Sequence, residues 1–122
     1  MKVTILMSTY NGEQFLAEQI ESIRQQTYTD WQLLIRDDGS KDRTREIIQD
    51  FCQKDNRIRF VNPDSVENVG VIKSFFHLLK YQTSDFYLFS DQDDVWLPEK
   101  IELQLKEAGK YDNTLPLLIY MD

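Results

Sequence analysis

The chain has 122 residues, of which 41% are hydrophobic and 29% are charged, which is typical of one folded domain and argues against a disordered chain. A single cysteine, Cys52, excludes an internal disulfide and argues against a cysteine-based zinc site. The 14 Lys and Arg residues against 21 Asp and Glu residues give a formal net charge of −7. This balance disfavours a nucleic-acid-binding protein, because that class usually carries a basic surface.

Strand and helix patterns alternate along the chain. In order, the spacing of apolar residues predicts a strand at 3–8, a helix at about 13–26, a strand at 31–35, a helix at about 42–53, a strand at 57–61, a helix at about 71–81, a strand at 86–89, a helix beginning near Pro98 and a strand at 117–121. Such alternation predicts an α/β fold with a mostly parallel sheet and helices on both faces. We expect Val71, Phe75, Leu78 and Leu79 to face inward from their helix and Trp96 to lie in the core. His77 is expected to be a surface residue or a hydrogen-bonded one and not a ligand.

The sequence also suggests where the protein is found. It has no apolar run approaching the ~20 residues of a membrane span, and a short strand pattern follows Lys2 directly instead of a signal peptide. We therefore expect a cytoplasmic chain. Because the last predicted strand has no helix after it, we also expect residues 1–122 to be a single domain that is the first part of a longer protein.

Polar residues follow the predicted strands at the edge where parallel sheets bind ligands, beyond the carboxyl ends. These candidate residues are Ser8, Thr9, Tyr10 and Asn11 after the first strand, Asp37 and Asp38 after the second, Asn68 and Gly70 after the third, and Asp91, Gln92, Asp93 and Asp94 after the fourth.

Asp91 and Asp93 are candidate metal ligands. At a strand end residues i and i+2 point to the same side, and Mn²⁺ or Mg²⁺ would hold two such carboxylates ionised. The alternative is that these residues form a turn or cap the helix near Pro98. An EF-hand beginning at Asp91 is excluded, because Val95 and Trp96 stand where an oxygen ligand and a glycine are required.

The other candidates also have two interpretations each. Asp37 and Asp38 would accept hydrogen bonds from a base N–H or a ribose hydroxyl, or would form an Asx-turn at Gly39. Tyr10 would stack on a flat base, or would pack on the first helix. The backbone at Gly70 would meet an anion, or would form a plain turn. The glycine-rich phosphate-binding loops of the G-x-G-x-x-G and Walker A types are absent from the sequence. A metal ion held by carboxylates would then bind the phosphates of a ligand in place of such a loop.

Taken in order, these motifs resemble one family. They are Ser8-Thr9-Tyr10-Asn11, Gln26-Thr27-Tyr28, Asp37-Asp38-Gly39-Ser40, Asn68-x-Gly70 and Asp91-Gln92-Asp93-Asp94-x-Trp96. The set resembles the nucleotide-sugar-binding half of glycosyltransferase family 2, the inverting enzymes of the GT-A fold. The segment from Asp91 to Trp96 is similar to rhamnosyltransferase-like and polysaccharide-assembly members.

The resemblance implies a metal-assisted transfer, with inversion, from a UDP- or dTDP-sugar to a saccharide or lipid-linked acceptor. It implies that Ser8 and Tyr10 line the nucleoside pocket, that Asp38 contacts the base with Asp37 beside it, and that Asn68 and Gly70 lie near the diphosphate and sugar. It also implies that Asp93 binds Mn²⁺ or Mg²⁺ and that Asp91 contacts the ribose or a water bound to the metal. The family's general base lies in its second half, so no catalytic residue is assigned here, and we expect little sugar transfer by this chain alone.

Two alternatives belong to other classes. A non-catalytic nucleotide-binding or assembly module would keep the same pocket, and the apolar residues at 117–120 would serve a homodimer or the missing half. A phosphoacceptor receiver domain has a similar length, but it needs an acid pair after the first strand, where this chain has Ser8 and Thr9.

For the full-length protein we also expect peripheral association with the inner face of the membrane.

Overall fold

The computed structural model describes residues 2–90 and 95–108 and the backbone of 117–119. Strands and helices alternate as the sequence predicts. They are β1 (Val3–Thr9), α1 (Leu16–Arg24), β2 (Trp31–Asp37), α2 (Thr44–Lys54), β3 (Ile58–Phe60), α3 (Val71–Leu79), β4 (Phe86–Ser90), α4 (Lys100–Ala108) and β5 (Leu117–Ile119).

The five strands form one sheet in the order β3-β2-β1-β4-β5, and every pairing between neighbours is parallel. The chain first builds outward from β1 through β2 to β3, and then returns to place β4 on the other side of β1. In the register, Ser8 lies beside Arg36 and Thr9 lies beside Asp37. The predicted parallel α/β architecture is therefore confirmed.

Helices cover both faces of the sheet because successive strand residues point to opposite sides. Ile5 and Met7 of β1 belong to a large buried cluster that includes residues of α1, α2 and α4. Leu6 of β1 belongs to a second buried cluster, with Leu78 of α3, on the other face. The expected core position of Trp96 is confirmed, since it is buried in the first cluster.

Some predicted details differ from the structure. Val71 is 58% exposed, so the prediction that it faces inward is wrong. The reason is that the start of α3 is held against Asp38, the first residue beyond β2, and so its first turn extends past the sheet. The strand β2 runs two residues further than the predicted end, because Arg36 and Asp37 pair with Ser8 and Thr9 of β1. Ion pairs neutralise both of these buried side chains.

Candidate functional site

The strand order of the sheet changes direction between β1 and β4, which is its topological switch point. Open α/β sheets bind ligands at such a point, beyond the carboxyl ends of the strands. The β1 side of the reversal carries Tyr10 and Asn11. On the other side β4 ends at Ser90, a buried residue whose hydroxyl accepts a hydrogen bond of 2.7 Å from Gln19 Nε2. Asp91 and Asp93, the predicted metal ligands, come one and three positions after Ser90 and lie outside the described residues.

Asp37 is fully buried and ties three segments together. Its Oδ1 accepts hydrogen bonds from the hydroxyls of Thr9 at 2.8 Å and Ser40 at 2.6 Å. Its Oδ2 accepts from the Ser40 N–H at 2.8 Å and from Arg45 Nη1 at 3.1 Å. Four protein donors therefore occupy this carboxylate, which holds the loops after β1 and β2 in place.

Asp38 points to the opposite face from Asp37 and holds the start of α3. Its Oδ1 accepts hydrogen bonds from Arg36 Nη1 at 2.9 Å and from the Val69 N–H at 2.7 Å. Its Oδ2 accepts from the Gly70 N–H at 3.0 Å, and Asn68 Nδ2 donates to the Asp38 carbonyl at 2.8 Å. The Gly70 N–H, which the sequence suggested for an external anion, is thus donated, together with the Val69 N–H, to a carboxylate of the chain itself.

Arg36 and Ser74 connect Asp38 to Ser8. Arg36 Nη1 also donates to Ser74 Oγ at 3.1 Å, and the Ser8 hydroxyl donates to the same oxygen at 2.6 Å. The residues Ser8, Arg36 and Asp38 share the face of the sheet that α3 covers, which follows from the alternation of side chains along β1 and β2.

The loops after β1 and β2 are also bonded directly to each other. Asn11, with a positive φ of 49°, donates its backbone N–H to Ser40 Oγ at 2.8 Å, and its Oδ1 accepts from the Lys41 N–H at 2.9 Å. The Gly12 N–H donates to Thr44 Oγ1 at 2.9 Å. Next to these fixed residues, Tyr10 is 48% exposed at the rim of the site.

Asp42 completes this contact between loops. Burial acts to raise the pKa of its carboxyl, but hydrogen bonds donated by the Thr44 hydroxyl and N–H and by the Glu13 N–H outweigh burial and lower the pKa. Asp42 is therefore a charged anchor for the start of α2 and for the segment before α1.

Two glycines allow the loop at residues 66–70 to lie against β2. Gly39 has a φ of +85°, and a Cβ there would lie 2.8 Å from the Val66 carbonyl oxygen. Gly70 has a φ of +88°, but a Cβ there would have no atom within 4 Å. Gly39 is thus required both for its backbone conformation and for space, whereas Gly70 is required for its conformation.

The structure brings most of the predicted site residues into one connected network at the carboxyl edge of the sheet. It also shows partners that the motifs did not indicate, among them Arg36, Ser74 and Arg45. Arg45 donates to Asp37 and to the Asn62 and Pro63 carbonyls, and its guanidinium lies 4.9 Å from the centre of the Phe60 ring. An arginine directly after the apolar run Leu33–Ile35 is the signal that could have identified Arg36.

Within the described residues, no three His, Cys, Asp or Glu side chains lie close enough together to hold a metal ion. The predicted metal site depends on Asp91 and Asp93 and remains a prediction. In the part of the chain that the structure describes, no helix is both long enough and apolar enough to cross a bilayer.

Comparison with known proteins decides the family. The model of the family described as "Glycosyl transferase family 2" matches residues 4–120. The chain belongs to glycosyltransferase family 2. It is 35% identical over 103 residues to the UDP-Glc:alpha-D-GlcNAc-diphosphoundecaprenol beta-1,3-glucosyltransferase WfgD of Escherichia coli, covering 84% of this chain and 39% of WfgD. It is 37% identical over 99 residues to the dTDP-rhamnosyl transferase RfbG of Shigella flexneri, covering 79% of this chain and 34% of RfbG.

A solved structure shares the fold of this family 2 chain. The mannosyltransferase PcManGT from Pyrobaculum calidifontis, in complex with GDP-Man and Mn²⁺, superimposes with a TM-score of 0.76 at 21% identity. The match covers 93% of this chain and 33% of PcManGT. The expected GT-A glycosyltransferase fold is therefore confirmed, and the chain spans less than two fifths of the length of each of these three proteins.

Proposed function

We propose that residues 1–122 form the nucleotide-sugar-binding unit of an inverting glycosyltransferase that uses a UDP- or dTDP-sugar. The observation that carries this proposal is the meeting of the loops after β1 and β2 and the start of α3 around Asp37 and Asp38, beside the reversal between β1 and β4. The relatives WfgD and RfbG support the donor class, since their names specify UDP-Glc and dTDP-rhamnosyl transfer.

The nucleoside end of the donor would bind beside Tyr10, Ser8 and Asp38. The half-exposed ring of Tyr10 offers a flat surface for a base, and base–aromatic stacking contributes ~1–3 kcal/mol. The loop that carries this ring is fixed by the bonds of Asn11 to Ser40 and Lys41, so little flexibility is lost when a base binds.

The charges of the site favour a metal-dependent donor. Arg36 and Arg45 are each already paired with an aspartate, Asp38 and Asp37, so the negative charge of a bound diphosphate calls for another cation. We propose that Asp91 and Asp93 hold Mn²⁺ or Mg²⁺, because these ions prefer oxygen ligands. When bound, the ion would neutralise the charge that develops on the leaving diphosphate. The Mn²⁺ and GDP-Man bound to PcManGT support this part of the proposal.

The transfer itself would be a single displacement with inversion, in which an acceptor hydroxyl attacks the anomeric carbon as the diphosphate leaves. The acceptor would be a saccharide or a lipid-linked sugar, in line with the diphosphoundecaprenol substrate in the name of WfgD. The general base is proposed to come from outside residues 1–122, which would act as a donor-binding unit with little transfer of its own.

Calorimetry with UDP, dTDP and GDP, with and without Mn²⁺, tests the proposal. We expect UDP or dTDP to bind more tightly with Mn²⁺ and Asp93→Ala to remove the effect of the metal. An Asp64→Ala variant serves as the control, because Asp64 is an exposed acidic residue that is not among the proposed nucleoside or metal contacts. The absence of nucleotide binding, or an Asp93→Ala protein with the metal dependence of the wild type, would overturn the proposal.

A further inference from the structure

A single buried cation, Arg36, connects the segments that surround the proposed nucleoside pocket. It is only 5% exposed, and it lies on the face of β2 that α3 covers. Its guanidinium donates to Asp38 Oδ1 at 2.9 Å, to Ser74 Oγ at 3.1 Å and to the Glu67 carbonyl at 3.3 Å. It therefore contacts the residue after β2, a residue of α3 and the loop between β3 and α3.

The acceptor capacity of Asp38 shows what this cation does. An ionised carboxylate has about four acceptor positions. From the described residues, Oδ1 takes two donors, Arg36 and the Val69 N–H, and Oδ2 takes one, the Gly70 N–H. One position on Oδ2 is thus left for a further donor. The charge-assisted hydrogen bond from Arg36 to Oδ1 fixes the orientation of the carboxylate, so that Oδ2 is the oxygen with a position left.

We propose that Arg36 is a positioning residue that selects the base of the donor through Asp38, an inference that rests on the proposed donor-binding function. Held by Arg36, Asp38 would accept a hydrogen bond from a ring N–H, which the pyrimidine ring of uracil or thymine carries at N3. Cytosine has an acceptor at that ring position, and a site built to accept a hydrogen bond rejects a ligand that lacks the donor. Arg36 would therefore determine preference between bases as well as affinity.

Calorimetry with UDP and CDP in the presence of Mn²⁺ tests the proposal on four proteins: wild type, Arg36→Met, Asp38→Asn and the double variant. We expect Arg36→Met to lose about tenfold or more in affinity for UDP, because a hydrogen bond to a charged group is removed, and to lose little affinity for CDP. Arg36 acts through Asp38, so the double variant should bind UDP no more weakly than Asp38→Asn alone. A general loss of stability would not change the ratio of UDP to CDP affinity.

The surface variant Arg43→Met is the matched control, since the Arg43 side chain is 75% exposed and pairs only with Glu46 among the ion pairs of the described residues. Thermal unfolding verifies that each protein is folded at the temperature of the titration. Should Arg36→Met not fold, Arg36→Lys takes its place, because an ammonium keeps the charge but lacks the fork that reaches three partners. That variant should also lower the ratio of UDP to CDP affinity.

The outcomes separate the two proposals. A folded Arg36→Met or Arg36→Lys protein with the UDP to CDP ratio of the wild type would overturn the positioning role while leaving the donor site intact. Additive losses in the double variant would also overturn it, since Arg36 would then act independently of Asp38. A wild-type protein that binds neither nucleotide would overturn the proposed function and, with it, this inference.

Discussion

Replacing Asp37 with alanine should destabilise the fold strongly, although the residue belongs to the motif that resembles a binding site. The substitution removes the acceptor for four donors, of which the Thr9 hydroxyl is fully buried and the Ser40 N–H belongs to a residue that is 8% exposed. A buried donor left without a partner costs ~1–3 kcal/mol. Arg45 keeps its bonds to two backbone carbonyls, which limits the cost of its lost partner.

The sum of these effects is about 3–5 kcal/mol, which is also the range for breaking a buried ion pair. That is a large share of the ~5–15 kcal/mol that typically stabilises a domain. With a urea dependence of about 2 kcal/mol per molar, the unfolding midpoint should fall by about 2 M. Asp37→Asn keeps the shape but turns an NH₂ group toward a donor, so we expect it to cost about 2 kcal/mol or more.

Urea unfolding followed by tryptophan fluorescence measures this effect, because Trp31 and Trp96 are both buried in the large cluster. Asp64→Ala should stay within about 0.5 kcal/mol of the wild type, as exposed substitutions usually do. If the midpoint of Asp37→Ala lies within about 0.3 M of the wild type at the same slope, the assignment of Asp37 to the framework of the fold is wrong.

Three further predictions concern other parts of the molecule. Gly70→Ala should lower the free energy of unfolding by about 1–2 kcal/mol because of its φ of +88°. Gly39→Ala should lower it by at least about 1 kcal/mol more, since its Cβ would also lie 2.8 Å from a carbonyl oxygen. Equal losses of stability in urea unfolding would contradict this. The side-chain hydrogen bonds of Arg57 are the main cause that lowers the pKa of Asp55 from 3.8 to about 2, so the stability they provide is present above about pH 4 and is lost as the pH falls toward 2. Asp55→Asn should therefore flatten the loss of stability in that window, and an unchanged acid profile would count against it. Tyr10→Ala should weaken nucleotide binding by ~1–3 kcal/mol in calorimetry while Tyr10→Phe retains it, and an equal loss in both would show that the hydroxyl matters instead of the ring.

Hydrophobic periodicity was sufficient to predict the elements of the fold. The runs at 31–35 and 86–89 are buried strands, and Ile48 and Phe51 lie on the buried side of α2, because burial of apolar residues follows the period of each element. Boundaries were harder to predict. Phe15 fits helical spacing, but it precedes α1 and is 53% exposed, since the turn that begins at Gly12 occupies those residues.

The candidate site was predictable in position but not in the division of roles. The rule that ligands bind beyond strand ends locates Asp37 and Asp38 correctly at the carboxyl edge. Their separate partners depend on which face each side chain meets: Asp37 is paired with Arg45 of α2, whereas Asp38 accepts from the Val69 and Gly70 N–H groups, 31 and 32 residues away in the sequence. Contacts between segments that far apart leave no local pattern in the sequence. The period of two does assign neighbouring residues to opposite faces, and this is why adjacent aspartates hold different loops.

The central place of β1 has a consequence for synthesis on the ribosome. Of the five strands of the sheet, β1 emerges before the others and gains β2 as a neighbour early, but its other neighbour, β4, begins only at Phe86. Until then one edge of an apolar strand exposes unpaired backbone groups, which are a template for wrong pairing. The stage at which chaperone protection has most to offer this protein is therefore the one in which the emerged part of the nascent chain ends between residues 37 and 86.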